Sequence, residues 1–173
     1  KIGDPDLLTY INSKQYDLSK IQFRSLSGFK KRIDYSKNPL TIVQIMGSWC
    51  PNCLDETNFF KEIYPRYKDY GLEIISLGFE SQNSKRKRRK HLKKFKQKAS
   101  IPYPVYLGGI ASKKEASTKF SMLNEISSFP TTLFVNSKGE ITHVHTGFYG
   151  PGTGVYYDQY KKSTESLIDS ILR

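Results

Sequence analysis

Gly47-Ser48-Trp49-Cys50-Pro51-Asn52-Cys53-Leu54-Asp55-Glu56 is the stretch around which this chain is organised. It follows an apolar run, Leu40-Thr41-Ile42-Val43-Gln44-Ile45-Met46, that reads as a buried strand. It precedes a helical pattern with Phe59, Phe60, Ile63 and Tyr64 on adjacent turns. A Cys-x-x-Cys at a strand-to-helix junction is a redox pattern. Pro51 suits the first helical position, where its missing N–H costs nothing. Cys50 then caps the helix, and the partial positive charge there favours thiolate over thiol. Cys53 lies within one turn of Cys50, so a disulfide can close and open with little backbone movement. Cys50 is the expected nucleophile and Cys53 the residue that resolves its mixed disulfide.

The plainer readings of the pair are a passive disulfide or half of a zinc site. Zinc needs four ligands and there is no second cysteine pair, since Cys50 and Cys53 are the only two cysteines. His143 and His145 are expected to point to opposite faces of a strand. Leu54 rather than His follows Cys53, which excludes covalent haem attachment. The glycines at 147, 150, 152 and 154 lack the Lys-Ser/Thr ending of a phosphate loop. No metal or other cofactor is expected.

With 173 residues, 37% of them apolar and 25% charged, the composition is that of a globular protein. No apolar run approaches the roughly 18 residues of a membrane span. The chain opens at Lys1-Ile2-Gly3-Asp4 without Met or an apolar leader, so a trimmed or mature form is expected, with any signal or anchor upstream. The net charge of +12 is local: ten Lys/Arg and no acid lie between Lys85 and Lys98, leaving 18 basic against 16 acidic residues elsewhere. No aromatic interleaving or binding motif accompanies the cluster, so nucleic acid is not an expected partner.

In chain order, residues 4–18 suit a short helix or ordered arm, and 21–34 read as a hairpin around Ser27-Gly28. The helix after the cysteines is expected from Pro51 to Tyr70, kinked or interrupted at Pro65 and ended by Gly71. A second buried strand spans 72–79. Residues 85–98 form an amphipathic helix with Leu92, Phe95 and Ala99 on a thin apolar stripe and a crowded cationic face. The plain reading of that face is a solvated surface; the sharper one is a contact for anionic lipid or an acidic partner. A short strand at 105–107 is followed by a helix over 111–123 with Ala116, Phe120 and Leu123 inward. A hairpin of strands at 130–135 and 141–145 turns at 136–139, and a closing helix over 155–172 carries Tyr160, Leu167, Ile168 and Ile171. This order implies an α/β fold, a mixed central sheet flanked by helices on both faces.

The order of elements, Trp49-Cys50-Pro51-Asn52-Cys53 and the distant Phe129-Pro130-Thr131-Thr132 resemble the thioredoxin-like superfamily, specifically its TlpA/ResA-like branch of thiol-disulfide oxidoreductases. The resemblance covers about 20–173. It implies one domain over 1–173, with 1–19 as an N-terminal extension and about 72–107 as an inserted strand–helix segment. It implies a cis Pro130 beside the cysteines that leaves a neighbouring backbone group for an extended substrate; Trp49, Pro51 and Phe129 would line that contact. Glu56 matches a glutamate kept near the disulfide in ResA-like members. It would take the Cys53 proton if burial raises its pKa; otherwise it is a plain acid favoured by the helix dipole. Gln44 stands where thioredoxins keep a buried Asp.

What the resemblance implies for function is exchange of electrons with protein disulfides or dithiols, more as reductase than oxidase. The electron donor would be membrane-bound or thioredoxin-like. The location would be extracytoplasmic, periplasmic or exported, with any anchor in a segment not present here. Two alternatives remain: a peroxiredoxin-like peroxide reductase, and a thioredoxin-fold copper-binding or docking protein.

Overall fold

A computed structural model of the chain describes residues 5–173; Asp4 of the expected N-terminal arm lies outside them. The arm begins with a single turn, α1 (Pro5–Leu8), and is then tied to the body by an isolated bridge between Ile11 and Leu123. The hairpin is shorter than its apolar alternation suggests, with two-residue strands β1 (Phe23–Arg24) and β2 (Lys30–Lys31). Next come β3 (Leu40–Met46), α2 (Pro51–Tyr67), β4 (Leu72–Glu80), α3 (Lys85–Lys98) and β5 (Val105–Ile110). The chain closes with α4 (Lys113–Lys119), β6 (Thr131–Asn136), β7 (Ile141–Thr146) and α5 (Val155–Leu172).

The seven strands form one mixed sheet in the order β2-β1-β5-β4-β3-β6-β7. β3, β4 and β5 run parallel, while β6 and β7 and the β1–β2 hairpin join antiparallel. All seven residues of β3 are buried, as a central strand covered on both faces requires. Alternation sorts them. Leu40 and Ile42 face a core with Phe59, Phe60 and Ile63 of α2, Leu92 of α3 and Ile168 of α5. Val43 and Ile45 face a second core with Ile75, Leu77, Ala116 and Phe120. At about 1.5–3 kcal/mol per fully buried large apolar side chain, these two layers carry most of the drive for folding.

Four expectations need correction. α2 is not interrupted at Pro65: it continues to Tyr67 and tightens into a 3-10 turn over Lys68–Tyr70 before Gly71 (φ 103). Pro65 and its neighbour Arg66 are exposed, so the Lys61 carbonyl that loses its partner falls where water can replace it. α4 ends at Lys119, because Phe120 (φ −106, ψ 55) leaves the helix; Phe120 and Leu123 are buried all the same. In α5, Ile171 is 38% exposed rather than inward. His143 and His145 share a face, as side chains two apart on a strand must, and line one cavity of about 870 Å³ between β7 and α5.

Candidate active site

The C-terminal end of β3, the N-terminus of α2 and the start of β6 meet at the cysteines. Cys50 is the N-cap of α2, with Pro51 in the first turn. The Cys53 N–H donates to Cys50 Sγ at 3.2 Å, and the Cys50 thiol donates to the Phe129 carbonyl at 3.5 Å. Both cysteines are free thiols and both are buried, Cys53 completely. The hydrogen bond from the Cys53 thiol, helped by the backbone N–H groups of Cys53 and Asn52, brings the Cys50 pKa down to about 7. Burial and the Glu56 charge oppose that shift. Burial, followed by the effect of Cys50, pushes the Cys53 thiol far up. One sulfur is thus poised to ionise near neutrality and the other to stay protonated.

The Phe129–Pro130 peptide is cis, and Phe129 packs on the cluster of Met46, Cys50 and Cys53. Trp49 folds back over Gly47, where a Cβ would collide with the indole. Its Nε1 donates to the Phe79 carbonyl at 2.8 Å, and its ring meets Phe129 edge-on at 5.4 Å. Even so, 47% of Trp49 remains exposed, beside exposed Pro51 and Leu54. The rim of the site is apolar and open, whereas the sulfurs lie beneath it.

Glu56 is fully buried, so it is not a surface acid on a helix dipole. Its carboxylate accepts from Thr132 Oγ1 at 2.8 and 3.0 Å and from the Tyr160 hydroxyl at 3.0 Å. Burial raises its pKa to about 7 against these hydrogen bonds and the nearby His145. Gln44 is likewise buried: it donates to the Cys53 carbonyl at 3.2 Å and accepts from Ser76 at 2.7 Å. The structure therefore gathers Trp49, Cys50, Pro51, Cys53, Glu56, Phe129 and Pro130 into one region.

Sequence reasoning missed three supports. Glu80, buried at the end of β4, accepts from the Ser48 N–H at 2.9 Å and the Ser48 hydroxyl at 2.7 Å, pinning the loop before Cys50. Tyr160 was legible as an inward residue of α5, but not as a donor to Glu56. His145 lies against the Tyr160 ring at 4.3 Å and pairs with Asp6 at 2.6 Å, which brings the N-terminal arm to this network. An acid closing an apolar strand was the one signal for Glu80.

Comparison with known proteins fits this geometry. A sequence profile of the AhpC/TSA family matches residues 25–144, more than half of the chain. The chain belongs to the AhpC/TSA family. One relative, "Thiol-disulfide oxidoreductase ResA" of Geobacillus kaustophilus, is 23% identical over 124 residues, covering 70% of this chain and 63% of that protein. The chain thus spans under two thirds of that relative's length. Among solved structures, a thiol:disulfide interchange protein of the thioredoxin family from Chlorobium tepidum TLS superposes with a TM-score of 0.63 at 16% identity, covering 93% of this chain and 100% of the other. StoA from Bacillus subtilis gives 0.55 at 20% identity, with 90% and 96% covered. These likenesses establish the thioredoxin-like fold of this AhpC/TSA family member, with the cysteine pair at the junction where its sheet meets α2.

Proposed function

We propose that this chain is an extracytoplasmic thiol-disulfide oxidoreductase that reduces protein disulfides through Cys50 and Cys53. The observation that carries the reading is the asymmetry of the two sulfurs: Cys50 with its pKa brought down to about 7 at the helix N-terminus, Cys53 sealed beneath it with its pKa raised. The names of the curated relatives support the same reaction class. A peroxide-reducing site would want Thr-x-x-Cys with a nearby Arg; here Gly47 stands three residues before Cys50, and the Ser48 hydroxyl is given to Glu80.

Ionised Cys50 no longer donates to the Phe129 carbonyl, which is freed for the backbone of an extended substrate beside Pro130. The Cys50 thiolate attacks one sulfur of a substrate disulfide. A Cys50–substrate disulfide forms and the other substrate sulfur leaves as thiolate, taking a proton from solvent. Cys53 then gives up its proton and attacks Cys50 Sγ, forming the Cys50–Cys53 disulfide and expelling the second substrate sulfur. Two electrons have passed from the pair to the substrate, and an external dithiol, membrane-bound or thioredoxin-like, restores them. Glu56, one helical turn from Cys53 and held near neutrality, is the base for the Cys53 proton. Trp49, Pro51 and Phe129 form the apolar rim on which the substrate lies.

Reduced protein carrying Cys53→Ser, mixed with oxidised insulin, tests this directly. The account expects a mixed disulfide through Cys50 that accumulates and is released by dithiothreitol, and none with Cys50→Ser. Absence of an adduct, or equal adduct formation in both variants, would contradict it.

A further inference from the structure

Phe79, whose carbonyl holds the Trp49 indole, also lines a second pocket of about 310 Å³ away from the cysteines. Five cations converge on it from four elements: Arg24 of β1, Lys30 of β2, Lys85 and Arg88 of α3, and Lys119 of α4. Glu115 is the single acid in its lining, and none of the five cations forms an ion pair among the described residues. Arg88 is only 8% exposed. Its Nη1 donates to the Gln82 carbonyl at 2.6 Å, while Nε is buried with no hydrogen-bond partner. Lys119 is held in place by the carbonyls of Gln22 at 2.9 Å and Gly108 at 2.7 Å, with its ammonium 5.1 Å from the centre of the Phe23 ring.

Buried cations are ordinarily matched by a carboxylate, because an unmatched one loses its hydration with little return. Here neutral carbonyls are the only hydrogen-bond acceptors that the buried Arg88 and the half-buried Lys119 reach, Glu115 is one carboxylate against five cations, and like charges face one another across the pocket. Burial, followed by the charge of Lys85, lowers the Lys119 pKa against the opposing charge of Glu115, which is the direction expected of a cation whose counter-charge does not offset its burial. An anion in the pocket would relieve that cost. A planar guanidinium beside several ammonium groups is the donor set for the oxygens of a phosphate. The volume, at the small end of ligand pockets, admits such a group and excludes a folded chain.

We propose that this pocket is a binding site for a phosphate group, borne by a small soluble molecule or by a lipid headgroup. It explains the pocket at the foot of α3 and leaves the outer lysines of that helix as solvated surface. Because Phe79 carries Trp49 and the next residue, Glu80, pins Ser48, occupancy of the pocket is read out by Trp49 fluorescence.

The test titrates the full chain with inorganic phosphate and pyrophosphate at physiological ionic strength, by calorimetry and Trp49 emission. The expected result is saturable binding at one site per chain. Arg88→Gln should weaken it at least about tenfold. The paired exposed changes Lys30→Gln and Lys85→Gln, which leave the core untouched, should do likewise. Lys93→Gln with Lys98→Gln, on the same helix but outside the pocket, should change it less than about twofold. Vesicles containing phosphatidic acid, set against phosphatidylcholine alone, separate the sources. Capture that inorganic phosphate competes away assigns a lipid headgroup; phosphate binding without capture assigns a soluble molecule. The proposal is overturned if neither phosphate, pyrophosphate nor phosphatidic acid binds saturably, or if the Lys93/Lys98 pair weakens binding as much as the pocket changes.

Discussion

Cys50 and Glu56 are both brought to a pKa of about 7, from opposite directions and by opposite means. Hydrogen bonds to sulfur at a helix N-terminus favour the Cys50 thiolate, whereas burial disfavours the Glu56 carboxylate. Alkylation of the reduced protein by iodoacetamide should follow one titration with a midpoint near 7, confined to Cys50; a midpoint near the ordinary thiol value of 9.0 would contradict the site electrostatics. For Glu56 the folded pKa lies above the ordinary 4.5, so the stability tied to its proton is full below 4.5 and lost as pH rises through about 7. The loss should reach roughly 3 kcal/mol by about pH 8. Cys50 contributes the opposite sign, gaining stability as pH rises past about 7, and in Glu56→Gln the loss of the Glu56 charge that opposes its ionisation adds to that gain. The difference in urea midpoint between Glu56→Gln and the parent should therefore widen from pH 5 to pH 8 in favour of the variant. A flat difference would mean that Glu56 is ionised throughout.

At the level of elements, α3 is seated on β4 by a close approach of Leu92 to Gly78, where an added Cβ would lie 2.6 and 2.7 Å from the leucine methyls. Gly78→Ala should lift the helix and cost about 1–3 kcal/mol, read as a lower urea midpoint. Because Phe95 of the same helix packs on the Met46–Cys50–Cys53 cluster, the variant should also alkylate faster at Cys50. Unchanged stability would mean that α3 yields freely. Elements with buried, period-matched residues were legible from sequence. β3 and β4 are apolar on both faces, and the stripe of Leu92 and Phe95 marks α3 within its charged run. The end of α4 was not legible, since Phe120 and Leu123 keep helical spacing after the backbone has left the helix. The survival of α2 through Pro65 was hidden too, because the cost of proline depends on whether its orphaned carbonyl meets water. Within the site, the cysteine pair, Trp49 and Pro130 announce themselves by motif. The partners of Glu56, Thr132 and Tyr160, lie 76 and 104 residues away and are joined only by folding.

Across the whole molecule, exposed apolar surface and concentrated charge fall on different elements, although α2 and α3 share one core layer. Exposed apolar groups, Trp49 and Leu54, surround the sulfurs, while the net charge of +12 is concentrated on α3 and the pocket at its foot. No helix among the described residues is long and apolar enough to cross a membrane. The central claim is reversible two-electron chemistry at Cys50 and Cys53 in a reducing range. A nucleophile titrating at about 7 is shared with thioredoxin, whose potential is about −270 mV, and not with DsbA, whose cysteine titrates near 3.5 and whose potential is about −120 mV. The most direct measurement is the equilibrium potential of the pair in graded dithiothreitol or glutathione buffers, followed by thiol trapping and Trp49 emission. The account predicts one reversible transition near roughly −270 mV. A value near about −120 mV would contradict the reductive direction, and the absence of any reversible transition would contradict the account itself.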